Sequence, residues 1–125
     1  MRTIAELSKD NLRVAGDAIE TVIEFRAYLP TDGMLIILAG GFRDEIREEL
    51  GVPPLNPASR GPERKPLDDL EDANLDCLFE ALVILNGHFT RYMDDPELPK
   101  CLAEVLMQVG AARVARVIPE GAKAS

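Results

Sequence analysis

The stretch DDLEDANLD at 68–76 places Asp68, Asp69, Glu71, Asp72 and Asp76 within nine positions. A second acidic stretch, RDEIREELG at 43–51, contributes Glu45, Glu48 and Glu49. Carboxylates this dense can hold a divalent cation if they converge in a cavity. They can also imitate the phosphates of a nucleic acid, or start a helix, whose positive end favours negative charge.

Other chemistry has less to work with. The one histidine, His88, falls mid-helix on the border of an apolar face, where it reads as a core-edge residue. Nucleophilic catalysis needs a base beside the nucleophile, and a zinc site needs more than one His and two distant cysteines. No phosphate loop of the type G-x-x-x-x-G-K-[ST] is present, and Gly40-Gly41 lacks dinucleotide-fingerprint spacing. Those two glycines imply close helix approach or a kink. No cofactor and no catalytic residue is expected.

Totals narrow the field further. The 125 residues are 46% hydrophobic but only 5% aromatic, without Trp, so aliphatic side chains must build the core. That diet suits helices packed on helices. The net charge of −8 is uneven: residues 67–99 carry nine acidic side chains against one basic. Phosphate backbones require a cationic surface, so nucleic-acid binding is disfavoured. MRTIAELSKD has no apolar signal region, and the longest apolar run, MLIILAGGF, is about half a membrane span. The expectation is a cytoplasmic protein that does not enter membranes.

The elements that must position these groups follow from periodicity. The fold expected is all-α, with four main helices over about 3–29, 33–50, 67–93 and 95–117. They form two antiparallel pairs joined by the Pro-rich loop 51–66, whose five prolines and two glycines admit no regular element and which reads as a tether. Thr3 and Glu6 make a capping box, and one unbroken helix from there to Leu29 is the simplest reading, with Ser8 or Gly16 as the alternative points of a break. Pro30–Gly33 is a turn with Thr31 or Asp32 as N-cap, Gly51 ends the second helix, and Asp95-Pro96 opens the fourth. A single domain, 1–118, is followed by a frayed tail at 119–125.

Expected core stripes are Leu12, Ala15, Ile19, Val22, Ile23 and Leu29 in the first helix, widened by Val14, Ala18 and Phe25. The second contributes Leu35, Leu38, Ala39, Phe42, Ile46 and Leu50, and the third Leu75, Leu78, Leu82, Leu85, Phe89 and Met93. The fourth contributes Leu98, Leu102, Val105, Leu106, Val109 and Ala112. A hairpin turning near Asp94 sets Cys77 and Cys101 at heights about 15 Å apart, so both should be reduced and mostly packed.

Two resemblances bear on function. The order E-x-x-E-E (Glu45, Glu48, Glu49) followed by D-x-x-D (Asp69, Asp72) resembles the all-α nucleoside triphosphate pyrophosphohydrolases related to MazG. Their pattern is near E-E-x-x-E, a spacer, then E-x-x-D. The resemblance implies Mg²⁺ held by these five residues, although Asp69 stands where that family has Glu. Separately, LAGGFRDEIREELG and MDDPELP look like small uncharacterised helical proteins of actinobacteria and their phages. That likeness implies a phage or prophage accessory or virion protein, and it brings no activity with it.

Facing discriminates. With Leu70 at 0° and about 100° per residue, the leucine stripe of the third helix centres near 100°, while Asp69, Asp72, Asp76 and Glu80 fall at about 200–280°. Glu45 and Glu48 flank the stripe of the second helix and Glu49 approaches it. The sequence therefore points first to a non-enzymatic protein–protein interaction module binding another protein or itself as a homodimer, with Asp69, Asp72, Asp76 and Glu80 as its candidate acidic surface. The alternatives are the Mg²⁺-dependent pyrophosphohydrolase and an acidic nucleic-acid mimic.

Overall fold

The computed structural model describes residues 3–29, 34–53, 65–93 and 95–117. It is all-α. The four helices are α1 (Lys9–Glu24), α2 (Met34–Leu50), α3 (Asp72–Ile84) and α4 (Glu97–Val117). The turn at Pro30–Gly33 with its caps, most of the 51–66 connection and the 119–125 tail lie outside the described residues.

The expected first and third helices are each broken near their start, in the same way. Glu6 accepts a hydrogen bond from the Thr3 amide at 3.0 Å, but this box opens only a 3-10 turn, Ile4–Glu6. Leu7 is extended, and Ser8 caps α1 by accepting from the Asn11 amide at 3.2 Å. Leu67–Asp69 is likewise a 3-10 turn, Leu70 is extended (φ −75°, ψ 133°), and α3 starts after Glu71. In one continuous helix Leu70 would lie about 100° from the centre of the leucine stripe; the break lets it be buried instead.

The ends also depart from simple helix. α1 yields to a 3-10 turn at Arg26–Tyr28, and Arg26 donates from Nη1 to the Ile23 carbonyl at 2.9 Å. α3 passes into a π turn over Leu85–Phe89 and a 3-10 turn over Thr90–Tyr92. Gly51, at φ 72°, closes α2 in a Schellman motif, with Val52 N–H to Arg47 O at 3.0 Å and Gly51 N–H to Glu48 O at 3.1 Å. Asp95 accepts from the Glu97 amide at 2.9 Å, so the expected cap of α4 is present. Pro99 fits the first turn, where an amide hydrogen has no intrahelical partner.

Helix directions follow from the pairs. α1 opposes α2, since Arg43 lies 3.8 Å from Glu20 and the Gly16 position faces Ile46. α1 opposes α3, because Leu7 and Asn11 share a cleft with His88 and Tyr92. α3 opposes α4 through Asp76–Arg113 and Asp72–Arg116. Thus α2 and α3 run the same way, and the end of α2 and the start of α3 lie at opposite ends of the bundle, about 25 Å apart for a helix the length of α2. The described residues beside each helix agree. Pro53 O accepts from Arg47 Nε at 2.7 Å beside α2, whereas the Lys65 amide donates to Ala27 O at 2.8 Å past the end of α1.

The core is aliphatic, as composition requires. The expected residues of α1, α3 and α4 are largely buried, and Ile36, Leu70 and Ala81 join them. Two corrections apply, and one charged residue joins the core. Val14 is 45% exposed instead of widening the core face of α1, and Cys77 is exposed where packing was expected. Arg43 is buried at 5% exposure, between α1 and α2 within reach of Glu20 and Asp44. Cys77 and Cys101 are not joined by a disulfide, in keeping with the hairpin.

The glycines separate two demands. A Cβ on Gly110 would lie 3.2 Å from Phe79 Cε2, so that glycine permits close approach of α4 to α3. Gly41 is exposed and a Cβ there meets nothing within 4 Å, so close packing does not explain it. Gly41→Ala should therefore raise stability by about 0.5–1 kcal/mol through helix propensity. Gly110→Ala should gain less or lose stability, because Phe79 must shift. Urea unfolding of both variants measures the difference.

Candidate functional site

The carboxylates that the sequence singles out are placed in two regions. Asp72 and Asp76 face α4: Arg116 Nη1 donates to Asp72 Oδ1 at 2.7 Å and Arg113 Nε to Asp76 Oδ1 at 2.7 Å. Arg113 also stacks over the Phe79 ring, 4.4 Å from its centroid. Arg116 goes further, donating to the carbonyls of Leu67 at 3.2 Å and Asp68 at 3.1 Å. One guanidinium thereby ties the 3-10 turn, the start of α3 and the end of α4 together. A cleft of about 280 Å³ runs beside these pairs, lined also by Leu75 and Val114. Asp68, Asp69, Glu71 and Glu80 are exposed.

Glu45, Glu48 and Glu49 lie on the exposed side of α2. Glu45 shares a cleft with Asp95 and Leu98, at the opposite end of α4 from Arg116. The rise from Leu98 to Arg116 is about 27 Å, so Glu45 and Asp72 sit at opposite ends of the bundle. Metal-bridging carboxylates need a common cavity a few ångströms across. Among the described residues, no group of three or more His, Cys, Asp or Glu is disposed to hold a metal ion. Of the acidic quartet Asp69, Asp72, Asp76 and Glu80, two members are engaged by arginine, which reduces the charge left for a partner.

Two features were missed from sequence. His88 belongs to the π turn and is exposed, lining a cleft of about 390 Å³ with Leu7, Asn11, Val14, Ile84, Phe89 and Tyr92. No residue pattern marks a π turn in advance, since its signature is one of backbone bonding. The second feature is the outward side of α4. From Ala103 at 0°, Met107, Ala111 and Val114 fall within about 80°, and all four are exposed, Met107 by 74% and Val114 by 55%. The buried residues Leu98, Leu102, Val105 and Val109 lie on the other side.

From Val105 to Arg116 the only charged side chains of α4 are Arg113 and Arg116, and both turn toward α3. A surface helix ordinarily places its charge outward. Here, beyond Glu104, the charge turns to the hairpin and the outer face carries Met107, Ala111 and Val114. The signal was legible in LMQVGAARVARV, which is apolar on both sides of a helix, but only if the arginines are known to face inward.

Arg116→Ala should cost about 1 kcal/mol and increase hydrogen exchange over residues 67–70. Arg116→Lys should restore little, because one ammonium does not match the fork that reaches three acceptors; full recovery by Lys would count against this role. A folded sample given Mg²⁺ and a panel of nucleoside triphosphates should release no pyrophosphate, given the separation of Glu45 from Asp72.

Among the described residues no helix is long and apolar enough to cross a membrane. No family model, no curated protein sequence and no solved structure matched the chain in comparison, so its functional reading rests on its own residues.

Proposed function

We propose that this chain is a non-catalytic helical interaction protein whose docking face is the outward side of α4. The observation that supports this reading is the reversal of polarity along that helix. Ala103, Met107, Ala111 and Val114 meet solvent while Arg113 and Arg116 serve the contact with α3. Scattered exposed apolar side chains are ordinary; a stripe over three turns of one helix, with Glu104 at its edge as the one charge along that span that faces outward, is less so. Burial of such a stripe against another protein recovers about 25 cal/mol for each Å² of apolar surface removed from water. Met107 is its central anchor, long and adaptable enough to fill an irregular pocket.

A photo-crosslinking residue at position 107, in the full chain within its host cell, should form a discrete adduct. The same residue at Glu20, exposed on α1, should not. An adduct of twice the chain mass identifies self-association, and any other mass a separate partner. Met107→Glu should leave unfolding within about 0.5 kcal/mol of the parent while abolishing the adduct of a crosslinker placed at Val114. Absence of any adduct at 107 and 114 would sink the reading.

A further inference from the structure

The outward side of α2 is divided along its length. Met34, Ile37 and Gly41 occupy its first half, and Asp44, Glu45 and Glu48 its second; all six are exposed. On a helical projection they lie within about 100° of one another, away from the buried Leu35, Ala39 and Ile46. Ile37 is 63% exposed and Met34 48%, large apolar residues for a surface position.

Beside this ridge, between α2 and the start of α4, runs a cleft of about 190 Å³. Leu38, Phe42, Met93 and Leu98 provide its apolar walls, and Glu45 and Asp95 stand at its acidic rim. Gly41 opens it, because no side chain fills the space where a Cβ would lie. Apolar ground thus continues directly into carboxylates, on the ridge and in the cleft alike.

We propose that this surface binds a cationic amphipathic helix of another protein, with an apolar side chain seated in the cleft and Lys or Arg beside Glu45, Glu48 and Asp95. Charge selects this occupant. The chain carries −8 overall. A second copy docking parallel by the same face would set its own Asp44, Glu45 and Glu48 against these, and docking antiparallel would press them onto Met34 and Ile37 with no counter-charge. A cationic partner gains both from the local carboxylates and from the long-range field that guides its approach. Helix-in-groove recognition uses apolar anchors of this kind. The proposal rests on the reading of the chain as an interaction protein but not on the outward face of α4, so each surface can fail alone.

The test uses the full chain and a fluorescent Leu/Lys amphipathic peptide of about 18 residues, about 27 Å as a helix and so comparable to α2. Anisotropy should report saturable one-to-one binding that weakens with added salt. A peptide of the same composition scrambled to destroy its apolar face, and one with Glu in place of Lys, should bind at least about tenfold more weakly. Gly41→Leu, which fills the cleft opening without altering charge, should weaken binding by about tenfold. Glu45→Lys combined with Glu48→Lys should do the same and flatten the salt dependence. Both variants alter exposed positions, and their circular dichroism should match the parent. Met107→Glu should bind the peptide as the parent does. No saturable binding, equal affinity for the scrambled peptide, or parental affinity in both α2 variants would overturn the proposal. A dimer of the chain alone that Gly41→Leu dissociates would overturn it too, since the occupant would then be a second copy.

Discussion

Closure of α3 against α4 organises much of this molecule. Arg113 and Arg116 reach across the hairpin to Asp76 and Asp72, and Gly110 lets Phe79 lie close against α4 beneath Arg113. Each ion pair is partly solvated and of modest energy alone. Their effect is directional. They agree with the rotation of α4 that burial of Leu98, Leu102, Val105 and Val109 requires, and they hold the arginines on the α3 side of the helix. The acidic start of α3 is therefore part of the hairpin as well as a favourable helix terminus. Its first carboxylates complement the helix dipole, and two others neutralise the only charges in the second half of α4.

Direction is the second constraint. α3 opposes both α1 and α4, which leaves it running with α2. The end of α2 and the start of α3 therefore lie at opposite ends of the bundle, and no short turn could join them. The attachment of Lys65 to Ala27, with the Lys65 ammonium 5.6 Å from the Tyr28 ring, brings the chain to the correct end before α3 starts. The repeated device of a 3-10 turn and an extended leucine then launches both α1, which Ser8 caps, and α3, burying Ile4 and Leu70 as it does so.

Much of the fold was legible because burial imposes helical spacing. Leu12 to Ile23, Leu75 to Met93 and Leu98 to Val109 repeat at three and four residues, and one face of each must leave water. Caps at Asp95 and Gly51 have local causes and were equally readable. Ser8 was readable as one point where the first helix could break, but the break at Leu70 was not, since propensity alone favours continuing a helix, and the gain from turning that leucine inward depends on the core it enters. The carboxylates divide likewise. Their outward tendency on α3 could be computed from periodicity, but their arginine partners lie 37 and 44 positions away. No local pattern connects residues that far apart.

By itself the sequence determined an all-α, aliphatic, acidic molecule, because composition and the 3.6-residue repeat reflect only what each segment must hide from water. It also determined that the helices pair 1 with 2 and 3 with 4. Tertiary structure alone decided the rest: that α2 and α3 run in the same direction, that Glu45 and Asp72 fall at opposite ends of the bundle, and that the arginines of α4 face inward. Those outcomes depend on the rotation and direction of whole helices, which arise from the sum of many weak contacts. The acidic residues that first suggested a metal site were assigned by this geometry to a hairpin at one end and an outward ridge at the other.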